Sequence, residues 1–356
     1  MIQERLNHLK KLLKADEAAL ITDDHNRFYF TGMHSSAGAL VITKEVSYLL
    51  IDFRYFEKAK TIAAGVEVLL CERLYAQLNE LLKKHNIKTV LTETDTVTVA
   101  SFNSIKKNLA DFVVNSSEEL SKQIKKLRSI KSAQEIENIK KAQALTDRTF
   151  SYILNRIKPG ITEKQIMLDM EFFIRSRGSE GVSFDFIVVS GKNTSLPHGV
   201  PTDKAVENGD FVTMDFGAVV NGYRSDMTRT VAVGNISDKQ RLVYETVLSA
   251  QAEALKSIKP DVKCCKIDKI ARDIISNAGY GDCFGHGLGH SVGLEIHENP
   301  ACNTRDETPL KSGMIMTVEP GIYIENEFGV RIEDMVVLTE NGCENLTHSP
   351  KELIII

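Results

Sequence analysis

The sequence has no strong charge imbalance, no long apolar run and no CxxC pair, and each absence excludes a class of protein. Lysine and arginine number 44 against 48 aspartates and glutamates, a net charge of −4, which is too small to indicate a nucleic-acid-binding surface or a basic membrane anchor. No apolar run reaches the length of about 18 residues that a membrane span needs. The first residues, Met1 to Leu6, lack the basic and apolar segments of a signal peptide. We therefore expect a cytoplasmic protein with neither membrane nor nucleic-acid partners.

The six cysteines are few for a chain of 356 residues and show no metal-binding spacing. We interpret them as reduced, mostly buried thiols, and the alternative is a zinc or redox site.

The length predicts about two domains, at roughly 150 residues each. The first part alternates short apolar runs with helical patterns, which is typical of an α/β domain with a mixed sheet, and it contains no phosphate-binding glycine motif. A charged segment then leads into Ser132-Ala133-Gln134-Glu135, which has the form of a capping box at the start of a long helix. The strand-rich remainder, with about four helices, predicts an α+β domain. We place the domains at residues 1–127 and 128–356.

Two aspartates, Asp215 and Asp226, lie on either side of Asn221-Gly222, a strong signal for a two-residue hairpin turn. This turn would pair Asp215 with Thr228 and make the two aspartates diagonal neighbours on one face, so that both carboxylates converge. The residues expected to fill the core from the opposite face are Val212, Met214, Phe216 and Ala218. Because unpaired buried charge is costly, a divalent metal would explain the pair.

The competing interpretation is that these aspartates point into solvent or pair with Arg224 and Arg229. The distribution of histidines weighs against it, because four of the nine lie between residues 198 and 297. These four are His198, His286, His290 and His297. The last three share a glycine-rich stretch in which the backbone can approach other groups closely.

Two glutamates near the end of the chain complete a candidate metal site. Glu319 follows a strand pattern, and Glu333 lies within another. Each has a simpler interpretation, a strand-end charge for Glu319 and an ion pair with Arg331 for Glu333. Asp334 is the poorer ligand candidate, because strand alternation places it on the opposite face.

The set resembles the five metal ligands of the pita-bread metallopeptidases, the family of methionine aminopeptidase, aminopeptidase P and prolidase. The set is Asp215, Asp226, His290, Glu319 and Glu333, at intervals of 11, 64, 29 and 14 residues. Further segments similar to family motifs are Pro197-His198-Gly199, Thr317 to Tyr323 and Gly329 to Asp334. The resemblance covers the whole chain. It implies a creatinase-like N-terminal α/β domain followed by an α+β pita-bread catalytic domain.

Four carboxylates and one imidazole suit two divalent ions, which would balance the negative charge. Hard oxygen ligands favour Mn²⁺, with Co²⁺, Fe²⁺ or Zn²⁺ as alternatives. The resemblance implies that Asp226 and Glu333 bridge the ions, with Asp215 completing one site and His290 and Glu319 the other.

The implied reaction is hydrolysis of the bond between an N-terminal residue and a following proline in short peptides. By resemblance, Glu319 handles the proton of the attacking water, and His198 and His297 donate hydrogen bonds to the substrate or the intermediate. His286 resembles a further pocket residue, and Tyr323 and Arg331 would bind substrate or support the glutamates. We also expect a homodimer.

Substrate length is the open alternative. Some prolidase-type members carry an arginine just after the His-Glu-x-Pro run, suited to binding a dipeptide carboxylate, whereas here Ala301 follows Pro300 and the nearby Arg305 is out of step. This favours an Xaa-Pro aminopeptidase over an Xaa-Pro dipeptidase. More remote alternatives are an inactive pita-bread binding protein, a metal-free creatine amidinohydrolase, a methionine aminopeptidase and a metallophosphatase.

Overall fold

Two units make up the computed structural model, which describes residues 1–356. They are Met1–Arg128 and Ser129–Ile356. The helices associated with the first unit are α1 Ile2–Leu12, α2 Asp24–Thr31, α3 Phe53–Ile62, α4 Leu74–Lys84, α5 Val99–Asn108 and α6 Glu119–Ser129. Its strands are β1 Glu17–Ile21, β2 Ala39–Thr43, β3 Ser47–Ile51, β4 Glu67–Leu70, β5 Thr89–Thr92 and β6 Val113–Asn115.

The first unit is built on one six-stranded sheet in the order β4-β3-β2-β1-β5-β6. The pairs β1–β2 and β2–β3 are antiparallel, and the other three are parallel. All residues of β2 and β3 are buried, which explains their continuous apolar sequence. The predicted mixed α/β sheet is confirmed.

The second unit carries four long helices and twelve short strands. The helices are α7 Ala133–Ile153, α8 Glu163–Ser176, α9 Asp238–Ser257 and α10 Cys264–Asn277, with 3₁₀ turns at Gly191–Ser195 and Gly281–Cys283. The strands are β7 Ile187–Ser190, β8 Phe211–Phe216, β9 Val219–Val220, β10 Tyr223–Arg224, β11 Met227–Ala232, β12 Gly289–Ser291, β13 Glu298–Cys302, β14 Ile315–Val318, β15 Gly321–Ile324, β16 Phe328–Arg331, β17 Asp334–Leu338 and β18 Cys343–Asn345.

The predicted capping box at the start of α7 is present. The Ser132 hydroxyl accepts a hydrogen bond from the Glu135 backbone N–H, and the Glu135 carboxylate accepts one from the Ser132 N–H at 2.8 Å. These bonds satisfy donors that the first helical turn leaves unpaired. The helix therefore begins where its sequence predicts.

The predicted hairpin has the expected register. Asn221 and Gly222 adopt φ of 50° and 78°, as a type I′ turn requires, and Asp215 pairs with Thr228. The residues of the opposite face that lie in the core are Val212, Met214, Phe216 and Ala218. The hairpin thus buries one face and leaves the aspartate face for the cleft.

Two predicted strands differ from the structure. The pattern predicts one strand from Val330 to Leu338, but β16 ends at Arg331 and β17 begins at Asp334. Between them, the Glu333 N–H donates to Thr228 O at 3.1 Å, so the chain leaves one sheet and joins another. The strand predicted from Val182 begins only at Ile187, since Val182 forms an isolated bridge.

All six cysteines are free thiols, as predicted, but the expectation that most of them are buried is wrong: only Cys264 and Cys302 are buried, and the other four are partly exposed. None of the helices combines the length and the apolar character that crossing a membrane requires.

We expect Phe150→Ala to destabilise the second unit strongly. Phe150 is fully buried between α7 and α8, and such a truncation typically costs about 3–5 kcal/mol. Phe172→Ala is the matched control, because Phe172 on α8 is 76% exposed. Urea unfolding followed by circular dichroism measures both variants. Equal losses would contradict this placement of the core.

Candidate metal centre

A cleft of about 890 Å³ opens in the second unit. All five predicted metal ligands line it: Asp215, Asp226, His290, Glu319 and Glu333. Other predicted site residues on its wall are His198, His286, His297 and Arg331. The remaining one, Tyr323, is not among the residues that line the cleft but contacts two of them, His286 and Arg331.

Asp215 on β8 has one bound and one unbound carboxylate oxygen. Arg331 Nη2 donates to its Oδ2 at 2.7 Å, whereas its Oδ1 is buried without a hydrogen-bond partner. The alternative pairings with Arg224 and Arg229 do not occur: Arg224 Nε donates to a backbone carbonyl, and Arg229 forms an ion pair with Asp334 at 2.7 Å.

Glu333, in the break between β16 and β17, repeats this arrangement. Its Oε2 accepts a hydrogen bond from Thr228 Oγ1 at 2.8 Å, and its Oε1 is buried and unpartnered. A carboxylate oxygen of Glu333, one of Asp226 and a ring nitrogen of His290 all lie within 4.8 Å of one another. These three residues form the centre of the site.

His290 on β12 joins this centre to Glu319. Its Nε2 is 3.3 Å from Glu319 Oε1 and 3.6 Å from Asp226 Oδ2, while its Nδ1 is 3.2 Å from Ser291 O. A hydrogen bond from Nδ1 to this carbonyl orients the ring so that Nε2 faces the carboxylates.

The glycine before His290 is required by a close approach. A Cβ on Gly289 would collide with the backbone carbonyl of Thr317 on β14. The same threonine accepts a hydrogen bond from the His290 N–H at 2.9 Å and donates one to Glu319 Oε1 at 3.1 Å. This contact brings the histidine and the glutamate together.

Burial and mutual repulsion perturb the carboxyl groups. Desolvation, followed by the charges of Glu333 and Asp215, raises the pKa of Asp226 well above its usual value. Desolvation and the charges of Glu319 and Asp215 do the same to the pKa of Glu333. Burial opposes ionisation of Glu319 as well, but its hydrogen bond and Coulomb attraction to His290 prevail and lower its pKa to about 2.

These groups fit divalent cations. Two buried carboxylate oxygens, Asp215 Oδ1 and Glu333 Oε1, have no protein partner, and an unpaired buried oxygen of this kind is costly unless a cation binds it. Oxygen ligands with one imidazole suit Mn²⁺, Fe²⁺ or Co²⁺. The hydrogen bonds from Arg331 and Thr228 hold the opposite oxygens and so orient the free ones.

Tyr323 and Arg331 contact other partners than those expected. The Tyr323 hydroxyl lies 2.9 Å from His286 Nε2 and accepts a hydrogen bond from Arg331 Nη1 at 2.9 Å. Arg331 in turn binds Asp215 rather than a glutamate. Tyr323 therefore contacts the side chains of Arg331 and His286, both of which line the cleft.

The other two histidines lie at the mouth of the cleft. His297 is exposed, and its ring lies 4.5 Å from that of His290 in a T-shaped contact. His198 is exposed on the loop after β7. Partial desolvation of its ring, followed by repulsion from His290, lowers the pKa of His297.

Sequence reasoning missed the two threonines that orient the carboxylates, Thr228 and Thr317. Both had a signal. Thr228 is the predicted cross-strand partner of Asp215, and Thr317 precedes Glu319 by two residues and so shares its side of the strand.

A carboxylate-lined cleft of this kind, with an imidazole beside the carboxylates, is typical of a metal-dependent enzyme. Residues 137–340 match Metallopeptidase family M24, and residues 5–130 match the Creatinase/Prolidase N-terminal domain. The chain belongs to metallopeptidase family M24. With this assignment, the resemblance, the fold class and the metal-dependent hydrolase class predicted from the sequence are confirmed.

Three relatives cover nearly all of the chain. An Xaa-Pro dipeptidase of Pyrococcus furiosus is 38% identical and covers 99% of this chain and 100% of its own length. The structure of an Xaa-Pro dipeptidase from Bacillus anthracis is 41% identical with a TM-score of 0.93, covering 100% and 99% of the two chains. That of an X-Pro aminopeptidase from Thermotoga maritima is 38% identical with a TM-score of 0.90, covering 98% and 100%.

The metal-free protein should lose stability as pH rises. The raised pKa values of Asp226 and Glu333 mean that the folded chain keeps protons that the unfolded chain releases above about pH 4, so stability falls from there through the folded pKa. The raised pKa of His290 acts in the same direction above pH 6.5. The lowered pKa values of Glu319, His286 and His297 act only at or below pH 6.5.

Thermal melts of chelated protein from about pH 5 to 8.5 test this expectation. We expect the Tm of wild type to fall more over this range than that of Asp226→Asn, because the substitution removes a carboxyl group whose raised pKa favours the folded chain at low pH. Saturating Mn²⁺ should remove the fall of Tm with rising pH from wild type, because bound metal keeps its ligands deprotonated over the whole range. Equal pH slopes for both proteins would contradict the expected protonation of Asp226.

Proposed function

We propose that this protein hydrolyses the peptide bond between an N-terminal residue and a following proline in short peptides. The main support is the single cleft on which five metal-ligand candidates and three histidines converge. The names of the relatives, Xaa-Pro dipeptidase and X-Pro aminopeptidase, indicate the substrate class. The intact ligand set argues against an inactive binding protein.

We assign two divalent ions, Mn²⁺ in preference to Co²⁺, Fe²⁺ or Zn²⁺, to this cleft. Asp226 and Glu333 would be shared between the ions, Asp215 would complete one site, and His290 and Glu319 the other. Such ions polarise a substrate carbonyl and acidify a bound water. The oxygen-rich ligand set favours Mn²⁺ over Zn²⁺.

The roles assigned to side chains follow from their protonation and position. Glu319, ionised and held by Thr317, accepts a proton from the attacking water and delivers it to the leaving proline nitrogen. His198 and His297, at the mouth of the cleft, donate hydrogen bonds to the negative charge that develops on the carbonyl oxygen. His286, whose ring Tyr323 holds, contacts the substrate from the same wall.

A preference for dipeptides requires a positively charged side chain that can bind the C-terminal carboxylate of the substrate. Ala301 stands where some prolidase-type members have arginine, but both Ala301 and the exposed Arg305 line the cleft. Arg305 therefore lies on the cleft although it is four residues from the position of the family arginine. Its position favours the dipeptidase alternative more strongly than the sequence alone did.

Residues 1–127 would form the creatinase-like domain and residues 128–356 the catalytic domain. Homodimer formation and a cytoplasmic location stay predictions.

Purified protein with Mn²⁺ should release alanine from Ala-Pro or Ala-Pro-Ala. Asp226→Ala should abolish the activity because it removes a shared ligand, and His297→Gln should lower kcat by about a hundredfold, the usual loss for a donor to the developing oxyanion. Amino-acid release by chromatography measures all three proteins, and Lys140→Met on the surface is the control. If wild type cleaves neither peptide, the Xaa-Pro assignment fails.

Arg305→Gln tests substrate length. If Arg305 binds the dipeptide carboxylate, KM for Ala-Pro should rise by about tenfold or more, which is the loss of one charged hydrogen bond, while KM for Ala-Pro-Ala-amide should change little. Steady-state kinetics on both peptides measure this difference. Equal KM changes for the two substrates would assign the carboxylate contact elsewhere.

A further inference from the structure

Lys131, in the link between α6 and α7, is a buried cation outside the cleft wall. Its side chain is only 1% exposed. Its ammonium donates a hydrogen bond to Ser291 Oγ at 2.7 Å and forms an ion pair with Glu298 Oε2 at 3.2 Å. Its backbone N–H donates to Gly313 O at 2.9 Å, at the turn that leads into β14. Both the backbone and the ammonium group of Lys131 are therefore fixed by contacts within the second unit.

The two partners of this ammonium are the residues that directly follow two site histidines. Ser291 follows His290, and Glu298 follows His297. The carbonyl of Ser291 is also the group that His290 Nδ1 contacts at 3.2 Å. A displacement of Ser291 would therefore rotate the His290 ring as well as move its backbone.

Glu298 organises the loop between the histidines. Its Oε1 accepts hydrogen bonds from the Leu294 and Glu295 N–H groups at 3.0 and 3.3 Å. Gly293 packs so closely on this carboxylate that a Cβ there would lie 2.6 Å from its oxygens. The loop from Ser291 to Glu298 is therefore folded around one carboxylate, and Lys131 binds both of its ends.

The register of β12 and β13 leaves this loop in need of an outside contact. His290 pairs with Ala301 but Ser291 pairs with Glu298, so the ladder is interrupted between the two. Such an irregularity redirects side chains but weakens local pairing. At this irregularity the Lys131 ammonium binds one side chain from each strand, Ser291 on β12 and Glu298 on β13.

We infer that Lys131 is a positioning residue, which sets the separation and orientation of His290 and His297 by binding Ser291 and Glu298 together. Lys131 does not line the cleft and acts through these partners. The kinetic consequence rests on the proposed function, whereas the consequence for metal binding does not. The 4.5 Å contact between the two rings is the geometry that Lys131 maintains.

Calorimetric titration of the chelated protein with Mn²⁺ provides the first readout. Lys131→Met should weaken Mn²⁺ binding at the site that includes His290 by about tenfold or more, the usual effect of disturbing a group that orients a metal ligand. Two controls accompany it. Lys140→Met removes an exposed ion pair, and Ile166→Val loosens the buried core on α8; both should leave Mn²⁺ affinity unchanged.

A double-mutant cycle on kcat at saturating Mn²⁺ provides the second readout. Lys131→Met should lower kcat by about tenfold with KM within about threefold, and it should add little in the His297→Gln background, because both changes remove the same aligned donor. Losses that multiply, or an unchanged Mn²⁺ affinity, would overturn the inference and leave Lys131 a structural residue.

Ser291→Ala keeps the test decisive if Lys131→Met does not fold. This variant retains the Lys131–Glu298 ion pair and removes only the hydrogen bond that connects Lys131 to the His290 side of the loop. It should weaken Mn²⁺ binding in the same direction, and unchanged binding would overturn the inference. If wild type binds Mn²⁺ but cleaves no Xaa-Pro peptide, the proposed function fails while the Mn²⁺ titrations still decide the role of Lys131.

Discussion

The structure of the second unit depends on one electrostatic constraint, the convergence of carboxylates in a largely buried space. The four carboxylates are Asp215, Asp226, Glu319 and Glu333. Without cations, burial and mutual repulsion raise the pKa values of Asp226 and Glu333, and Glu319 pairs with His290. Two oxygens still have no partner. A site with this imbalance favours the binding of positive charge, and its hydrogen-bond donors hold the outer oxygens and leave Asp215 Oδ1 and Glu333 Oε1 free.

The scaffold meets this constraint by bringing together segments that are far apart in sequence. One hairpin supplies the aspartates, a glycine-rich segment supplies His290, and the last strands supply the glutamates. The break between β16 and β17 positions Glu333 for this site, because it lets both the backbone N–H and the carboxylate of Glu333 bind Thr228. Gly289 serves the same end by allowing the backbone to approach Thr317. Irregular backbone therefore lies at the site, and regular strands lie around it.

Buried charges outside the cleft hold the segments that carry the exposed histidines. Lys131 binds both ends of the loop from Ser291 to Glu298, which carries His297. Glu163 does the same for the segment with His198: one of its oxygens accepts the Ser190 N–H at 2.6 Å and the other accepts the Thr202 N–H at 2.9 Å. Exposed side chains at the mouth of a cleft have few packing contacts of their own, so their position is set by how firmly the backbone on either side is anchored.

Local features of the fold were predictable from the sequence because they depend on neighbouring residues. The capping box of α7, the turn at Asn221-Gly222 and the pairing of Asp215 with Thr228 follow from side-chain chemistry and strand periodicity within about 15 residues. The ligand candidates also came from the sequence, but through their order and spacing, which resemble a known family. Only the tertiary structure decided that Arg331 binds Asp215, that Tyr323 contacts Arg331 and that Arg305 lines the cleft. These contacts join segments up to 116 residues apart, and no local pattern encodes which distant partner a buried charge will meet.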